Sequence, residues 1–509
     1  MEMRTKSICP NCLKERKNEI EFIDSKVFEE NGKIWIEKEC KIHGKIREIY
    51  WSDAELFKKA YNFLTTGRGV SNPFIHTENC PNDCGLCPLH KSGTLLANLD
   101  VTNRCNLSCW YCFAHAGSVG YVYEPSFEDI KKMLKVLRDE MPVPCPAVQF
   151  SGGEPTIRND IIEIVKEAAK LEFKQIQIAT NGIRIAEEPG FAKKLKEVGL
   201  DTIYLKWNGM TEKTNIENLK YKDEILKECR AAKLGIVLVP TLINGFNIDQ
   251  IGPIIKFAIE NIDIIRGVNF QPISFVGRIE KISEEQRKKE RFTIPDLINE
   301  IEKQLGFIKR DDWYPVPSVM EISKFVEIFK NKPQVQFSAH PACGMATYIF
   351  TDENKNVIPI TRFLKVNEFL DYLKKINEKP PKSKLEKMYL FTKIIKDINK
   401  FIIKEKMPKS FNLGDLLIGV LIKGKREALS KIHWNSLLIS AMHFQDAWNF
   451  DFERVSRCVI HYVVPDGRII PFCAYNTFPK YRQEIEKKFS ISVEEWKNLH
   501  PGKNINDIA

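Results

Sequence analysis

The chain has no uninterrupted apolar run of the ~18 residues that a membrane-crossing helix needs, so a helical membrane protein is excluded on this reading. Its amino terminus, MEMRTKSICPNC, lacks the apolar centre of a secretory signal, and a cytoplasmic, reducing location is expected. Low-complexity tracts are absent as well. With 28% charged and 10% aromatic residues, the composition is that of a folded globular chain and excludes a disordered one. The lack of a secretory leader changes the meaning of the 14 cysteines, which read as metal ligands rather than disulfides. The net charge of +10 comes from Lys-rich helices along the whole chain and reads as solvated faces. Attraction to an acidic surface or a phosphorylated substrate is the alternative, and no nucleic-acid partner is expected.

At 509 residues the chain exceeds one simple core. A catalytic domain of roughly 200–250 residues with additions at both ends is expected, and the patterning divides it at 1–66, 67–94, 95–280 and 281–509. From Leu95 short apolar runs alternate with amphipathic helices, as in parallel βαβ units. Strands are expected near Ala97 to Val101, Ala147 to Phe150, Gln175 to Ala179, Thr202 to Leu205, Ile236 to Val239 and Arg266 to Phe270. Helices fall between them, among them Phe127 to Glu140, Asp160 to Leu171 and Asn247 to Ile259. The fold class is therefore α/β, a partial (β/α)6 barrel with a small amino-terminal metal-binding domain and a carboxyl-terminal α+β iron-sulfur region.

The cysteines fall into four sets. Cys105, Cys109 and Cys112 follow the first barrel strand as CxxxCxxC. Three thiolates so spaced wrap three irons of a 4Fe-4S cube and leave the fourth open to a small chelating ligand. A structural zinc site would need His115 as fourth ligand. Cys80, Cys84 and Cys87 repeat the spacing and read as an auxiliary cluster. Cys9-Pro-Asn-Cys12 and Cys40-Lys-Ile-His43, two knuckles separated by a strand pair, bring four ligands to one zinc or iron ion. Cys343, in His340-Pro-Ala-Cys343-Gly344, joins Cys458 and Cys473, which flank a hairpin through Pro465-Asp-Gly467, as a candidate further cluster, giving two or three clusters in all. Cys229 reads as packing. Cys145, just before the second barrel strand, is a candidate fourth ligand.

Two loops at strand carboxyl ends carry the rest. In Ser151-Gly152-Gly153-Glu154 the glycines let backbone approach a ligand and the carboxylate can accept from an ammonium group. Ala179-Thr180-Asn181-Gly182 follows the third strand. A helical insert, Leu385 to Ile422, carries an apolar stripe through Leu390, Phe391, Ile394, Ile398 and Phe401 opposite lysines. It reads as a helix packed on the barrel or as a lipid-contacting one, which would allow peripheral membrane contact.

The triad with the Gly-Gly-Glu-Pro and Ala-Thr-Asn-Gly segments resembles the radical S-adenosylmethionine superfamily. The resemblance implies that Ser151, Gly152, Gly153 and Glu154 hold the methionine amino group of S-adenosylmethionine. It also implies that Thr180 and Asn181 face its ribose. The cluster at Cys105, Cys109 and Cys112 would then cleave the cofactor reductively to a 5'-deoxyadenosyl radical, with electrons from a ferredoxin or flavodoxin. The segments AVQFSGGEPT, QIATNGIR, RGVNFQPISF, HPACG and RCVIHYVVPDGRIIPFCAYN narrow the resemblance to an archaeal subgroup. That subgroup contains the tetraether lipid synthases and was associated with methylation of the methanopterin pterin precursor. Coupling of two isoprenoid chain termini is the function expected first. Radical methylation of 7,8-dihydro-6-hydroxymethylpterin is the alternative, and a non-catalytic iron-sulfur carrier the third. Where the subgroup reads LQFDG, this chain has Leu205-Lys206-Trp207-Asn208-Gly209, an amide in place of a carboxylate with an added cation.

Overall fold

The structure is a computed structural model that describes residues 1–15, 20–74, 80–279, 281–352, 356–408 and 436–506. An antiparallel sheet opens the chain, made of β1 (Glu2–Ser7), β2 (Ile23–Glu30), β3 (Lys33–Cys40) and β4 (Gly44–Trp51) in that order. The strand pair expected from sequence is β2 and β3; β1 and β4 flank it. Helix α1 (Ala54–Tyr61) follows, and the Asp53 carboxylate accepts from the Leu56 N–H at 2.8 Å to cap it.

The six expected barrel strands all form, as β5 (Leu96–Thr102), β6 (Ala147–Gly152), β7 (Gln175–Thr180), β8 (Thr202–Lys206), β9 (Gly235–Val239) and β10 (Ile265–Pro272). Each is parallel to the next. The helices expected between them are α2 (Phe127–Arg138), α3 (Ile161–Lys170) and α4 (Ile251–Glu260). The strands alternate with period two. Ala97, Leu99, Val101, Val148, Phe150, Ile176, Ile178, Ile203, Leu205, Val268 and Phe270 face the helices in one apolar core. The alternate positions, Asn98, Gln149, Gln177, Tyr204 and Asn269, turn to the barrel interior. Asn98 Oδ1 accepts from Gln149 Nε2 at 2.7 Å, and Gln149 Oε1 from Gln177 Nε2 at 2.8 Å. Barrels usually fill this space with branched apolar side chains; here it holds a hydrogen-bonded row of amides.

The carboxyl-terminal region contributes strands to the barrel sheet. It adds β11 (Gly344–Thr351), β12 (Ser436–Met442), β13 (Ile460–Val463) and β14 (Ile469–Pro471) to the same sheet, ordered β11-β12-β10-β9-β8-β7-β6-β5-β13-β14. β12 runs parallel beside β10 and β13 parallel beside β5, so both open edges of the six-stranded core are covered by chain more than 150 residues away in sequence. That protection of exposed strand edges is what local patterning misses. The Pro465–Gly467 hairpin is present as β13 and β14.

The insert helix α5 (Lys384–Asp397) buries Ile394, and the turn after it Ile398 and Phe401, against Phe325, Phe363, Phe369 and Leu373. Most of the stripe is thus packing, as one of the two readings had it. Leu385, Met388 and Tyr389 at its start are exposed; its expected continuation, 409–422, lies outside the described residues. No helix among the described residues is long and apolar enough to cross a membrane.

Candidate functional site

The amino-terminal ligands converge as expected. Cys12 Sγ lies 3.6 Å from Cys40 Sγ and 3.4 Å from His43 Nδ1; Cys9 Sγ and Cys40 Sγ lie 3.5 and 3.7 Å from that nitrogen. Ligands about 2.3 Å from a tetrahedral ion stand about that far apart, so the four fit one mononuclear ion. Glu15 meets His43 Nε2 at 3.1 Å, which leaves Nδ1 for the metal. Among the described residues this is the one group whose ligand atoms all lie within 4.8 Å of one another; Cys105, Cys109, Cys112 and His115 are not such a group, and their zinc alternative falls away.

The second site sits where the strands end. Cys105, Cys109 and Cys112 lie on the loop after β5 and line a cavity of about 310 Å3 together with Ser151, Gly152, Gly153, Glu154, Thr180 and Asn181. All nine residues expected to serve the cluster and its ligand are brought to one space. The glycines are required by packing: a Cβ on Gly152 would stand 2.1 Å from the Thr102 carbonyl oxygen, and one on Gly153 2.0 Å from that of Arg104. Gly153 N–H donates to Thr102 O at 2.7 Å and Glu154 N–H to Arg104 O at 2.9 Å, which sets the chain leading into Cys105.

Glu154 does more local work than its sequence role implied. Its Oε1 accepts from Thr156 N (3.0 Å), Thr156 Oγ1 (2.6 Å) and Thr180 Oγ1 (2.7 Å), and its Oε2 from Asn181 N (2.7 Å). The carboxylate clasps the two loops together, with acceptor capacity left on Oε2. Burial pushes its pKa up, against the lowering from those donors.

Arg278, which the sequence reading did not single out, secures the cysteine loop. Its backbone N–H donates to Cys112 O at 3.0 Å, Nη1 to Cys109 O at 2.7 Å and Nη2 to Ala116 O. Gly277 (φ +71°) precedes it because a Cβ there would meet Cys112 O at 2.4 Å. The side chain arrives from beyond β10, about 170 residues away in sequence, so no local motif announces it. Losing two charge-assisted bonds of ~1.5–3 kcal/mol each loosens the loop. Arg278→Gln is expected to lower 5'-deoxyadenosine formation at least about tenfold and to shed iron during gel filtration. Arg278→Lys should fall between, and wild-type values for Arg278→Gln would refute the role.

The departure at Leu205 to Gly209 has a local account. Lys206 lines the cavity, 2.9 Å from Glu217, and its charge acts on the Cys109 thiol. Trp207 is buried and stacked on Phe257. Asn208 donates to the Tyr111 hydroxyl within the cysteine loop and accepts from Thr241 N–H at 2.9 Å; a carboxylate there would lack the donating N–H.

Of the other cysteines, Cys229 is buried packing as expected. Cys145 is no cluster ligand: it is fully buried before the amino end of β6, opposite the cavity, and its Sγ donates to Ala147 O at 3.2 Å. Cys80, Cys84 and Cys87 lie in a segment tied to the last hairpin by Leu86 N–H to Ile469 O at 2.8 Å. Burial raises the Cys84 thiol, and the charges of Cys80, Cys87 and Cys458 act in the same direction. Burial raises the Cys458 and Cys473 thiols as well. Cys84 and Cys473 belong to one cluster of buried side chains.

Residues 99–258 match the model of the radical SAM superfamily and residues 1–52 that of the HMPTM N-terminal zinc ribbon domain. Over 98% of both chains the sequence is 48% identical to the 7,8-dihydro-6-hydroxymethylpterin dimethyltransferase of Methanocaldococcus jannaschii. Over 43% of this chain and 65% of the other it is 30% identical to the GTP 3',8-cyclase of Clostridium acetobutylicum. A solved methylornithine synthase is similar at 15% identity, with a TM-score of 0.31 over 42% of this chain and 63% of that one. An iron-sulfur loop at the mouth of a parallel partial barrel, with that family match, defines the class: the chain belongs to the radical SAM superfamily. It is an enzyme with S-adenosylmethionine and a 4Fe-4S cluster as cofactors, and the amino-terminal donor set fits a mononuclear metal ion. Within the subgroup expected from sequence, the near-full-length similarity is to the pterin dimethyltransferase and not to a tetraether lipid synthase.

Proposed function

We propose that the chain is a radical S-adenosylmethionine methyltransferase acting on a 7,8-dihydro-6-hydroxymethylpterin. The observation that carries this is a set of side-chain amides set into a cavity lining that is otherwise mainly apolar. Asn98, Gln149, Asn269, Gln271, Gln445 and Asn476 all line it. Asn269 and Gln271 keep their side-chain N–H groups unspent among the described residues, since Asn269 only accepts, from Ser440 at 3.1 Å. A pterin offers a flat lactam whose edge alternates donors and acceptors, which side-chain amides can match. Aromatic side chains in the same lining suit its face: Phe444 stacks on Phe472 at 4.1 Å and Tyr462 on Phe472 at 5.2 Å. A volume of about 310 Å3 is at the low end for small-ligand pockets. Two isoprenoid chains would need a longer, drier space and would strand the amides at a cost of roughly 1–3 kcal/mol each. One feature favours the lipid reading, the exposure of Trp110 (48%) and Phe113 (40%) on the cysteine loop.

When bound, the open-iron cluster supplies the electron that cleaves S-adenosylmethionine and so yields the hydrogen-abstracting radical. In this assignment Cys105, Cys109 and Cys112 hold it. Ser151, Gly152, Gly153 and Glu154 hold the cofactor's methionine end, and Thr180 and Asn181 its ribose. Cys80, Cys84 and Cys87 hold an auxiliary cluster, and Cys343, Cys458 and Cys473 a third. A small iron-sulfur or flavin protein delivers the electrons. The cavity wall keeps water from the reacting carbons, and the amides orient the ring.

Calorimetric titration of the pterin into cluster-loaded protein with S-adenosylmethionine tests this. Gln271→Leu and Asn269→Leu are each expected to weaken binding about fivefold to tenfold, the ~1–1.5 kcal/mol of one hydrogen bond. Undiminished affinity in both variants would reject the orientation proposed.

A further inference from the structure

Arg454 is a buried cation without an anion. It lies in the short helix Phe452–Ser456 and is 1% exposed. The neighbouring buried arginines each have a carboxylate: Arg287 has Glu48 at 2.8 Å, Arg291 has Asp446 at 2.6 Å and Arg482 has Asp100 at 2.6 Å. Among the described residues no carboxylate lies within 4.0 Å of Arg454. Its Nη2 donates to the His443 carbonyl at 2.5 Å, its Nη1 is buried with no partner, and its guanidinium stands 5.5 Å from the centre of the Tyr50 ring. Asp451, three residues earlier in the chain, accepts from the Tyr50 hydroxyl at 2.7 Å. What Arg454 does touch is sulfur: Nε donates to Cys343 Sγ at 3.4 Å. Cys473, whose Sγ accepts from Gln445 N–H at 3.3 Å, is a second sulfur whose charge acts on it.

A guanidinium this deep costs several kcal/mol unless a charge answers it. Among the described residues no carboxylate answers it, and Nη1 has no partner. Three thiolates on a doubly positive 4Fe-4S core leave one net negative charge, which is the missing partner.

We propose that Arg454 is the counter-ion of an anionic iron-sulfur cluster held by Cys343, Cys458 and Cys473. The inference rests on the third cluster assigned above. It makes Arg454 a positioning residue with a stability effect that reverses sign: it destabilises the iron-free chain and stabilises the loaded one. It also favours the cluster's reduced form, because added electron charge is met by a fixed cation.

The test compares wild type, Arg454→Met and Arg454→Lys as the full zinc-loaded chain, before and after anaerobic iron-sulfide reconstitution. Thermal unfolding, iron content and the cluster midpoint potentials by electron paramagnetic resonance are read. Arg454→Met is expected to melt no lower than wild type without iron, to lose at least half of the rise in Tm that reconstitution gives, and to show one cluster at a more negative potential. A shift of 59 mV corresponds to each tenfold change in its one-electron equilibrium. Arg454→Lys should retain most of the rise. An equal rise in Arg454→Met, or failure of that variant to fold without iron, would overturn the proposal. The triple variant Cys343→Ala, Cys458→Ala, Cys473→Ala separates it from the reading beneath: it should lose about four irons per chain. Undiminished iron there would remove the third cluster, and the counter-ion with it.

Discussion

Replacing Cys105, Cys109 and Cys112 together by alanine is expected to abolish 5'-deoxyadenosine formation from S-adenosylmethionine, a loss of roughly a thousandfold or more, or at least ~4 kcal/mol of barrier lowering. The expectation follows from position. These three thiols alone among the cysteines line the cavity that the Gly152-Gly153-Glu154 and Thr180-Asn181 loops also line, and Arg278 and Asn208 hold their loop from two further strand ends. Iron bound elsewhere has no route to a ligand in that cavity. The corresponding triple replacement of Cys80, Cys84 and Cys87 is expected to leave cleavage detectable, because that segment packs against β14, away from the two loops. The assay is anaerobic turnover with a chemical reductant and chromatographic detection of 5'-deoxyadenosine. Cleavage at the wild-type rate in the Cys105, Cys109, Cys112 variant would overturn the assignment.

Much of this site was legible in the chain because its parts are local. A strand, a cysteine triad and a Gly-Gly turn each sit within ten residues, and spacing alone conveys their chemistry. The mononuclear site was legible for the same reason, since two knuckles of four residues carry all its ligands. What escaped was set by distance. β12 and β13 are ordinary short apolar strands, and only the sheet shows that they cover the edges of β10 and β5. Arg278 and Arg454 look like any surface cation in a chain of 77 lysines and arginines; the Cys109 carbonyl that Arg278 meets and the Cys343 sulfur that Arg454 meets lie about 170 and 110 residues away. The barrel lining is legible in the chain: from Ala97 to Thr102, ANLDVT, apolar and polar residues alternate with period two, and so they do in the Asn269-Phe270-Gln271 run of β10. That alternation marks a strand facing a polar interior, and it weighs against a dry lipid tunnel. Cys145 misled because nearness in sequence to the Gly-Gly loop placed it at the wrong end of the strand.

A small cavity with side-chain amides in its lining, over the open cluster, suits methylation of a pterin better than the joining of lipid chains. The two substrates differ in what they ask of the same space, one needing paired polar edges and the other an unbroken apolar path, so the effect of exchanging them should be all or none. Reduced, reconstituted enzyme with S-adenosylmethionine is incubated in parallel with 7,8-dihydro-6-hydroxymethylpterin, together with an archaeal cell extract as methyl source, and with a diether phospholipid. Products are read by mass. The account predicts methylated pterin in the first reaction and unchanged lipid in the second; coupled lipid with unmodified pterin would contradict it.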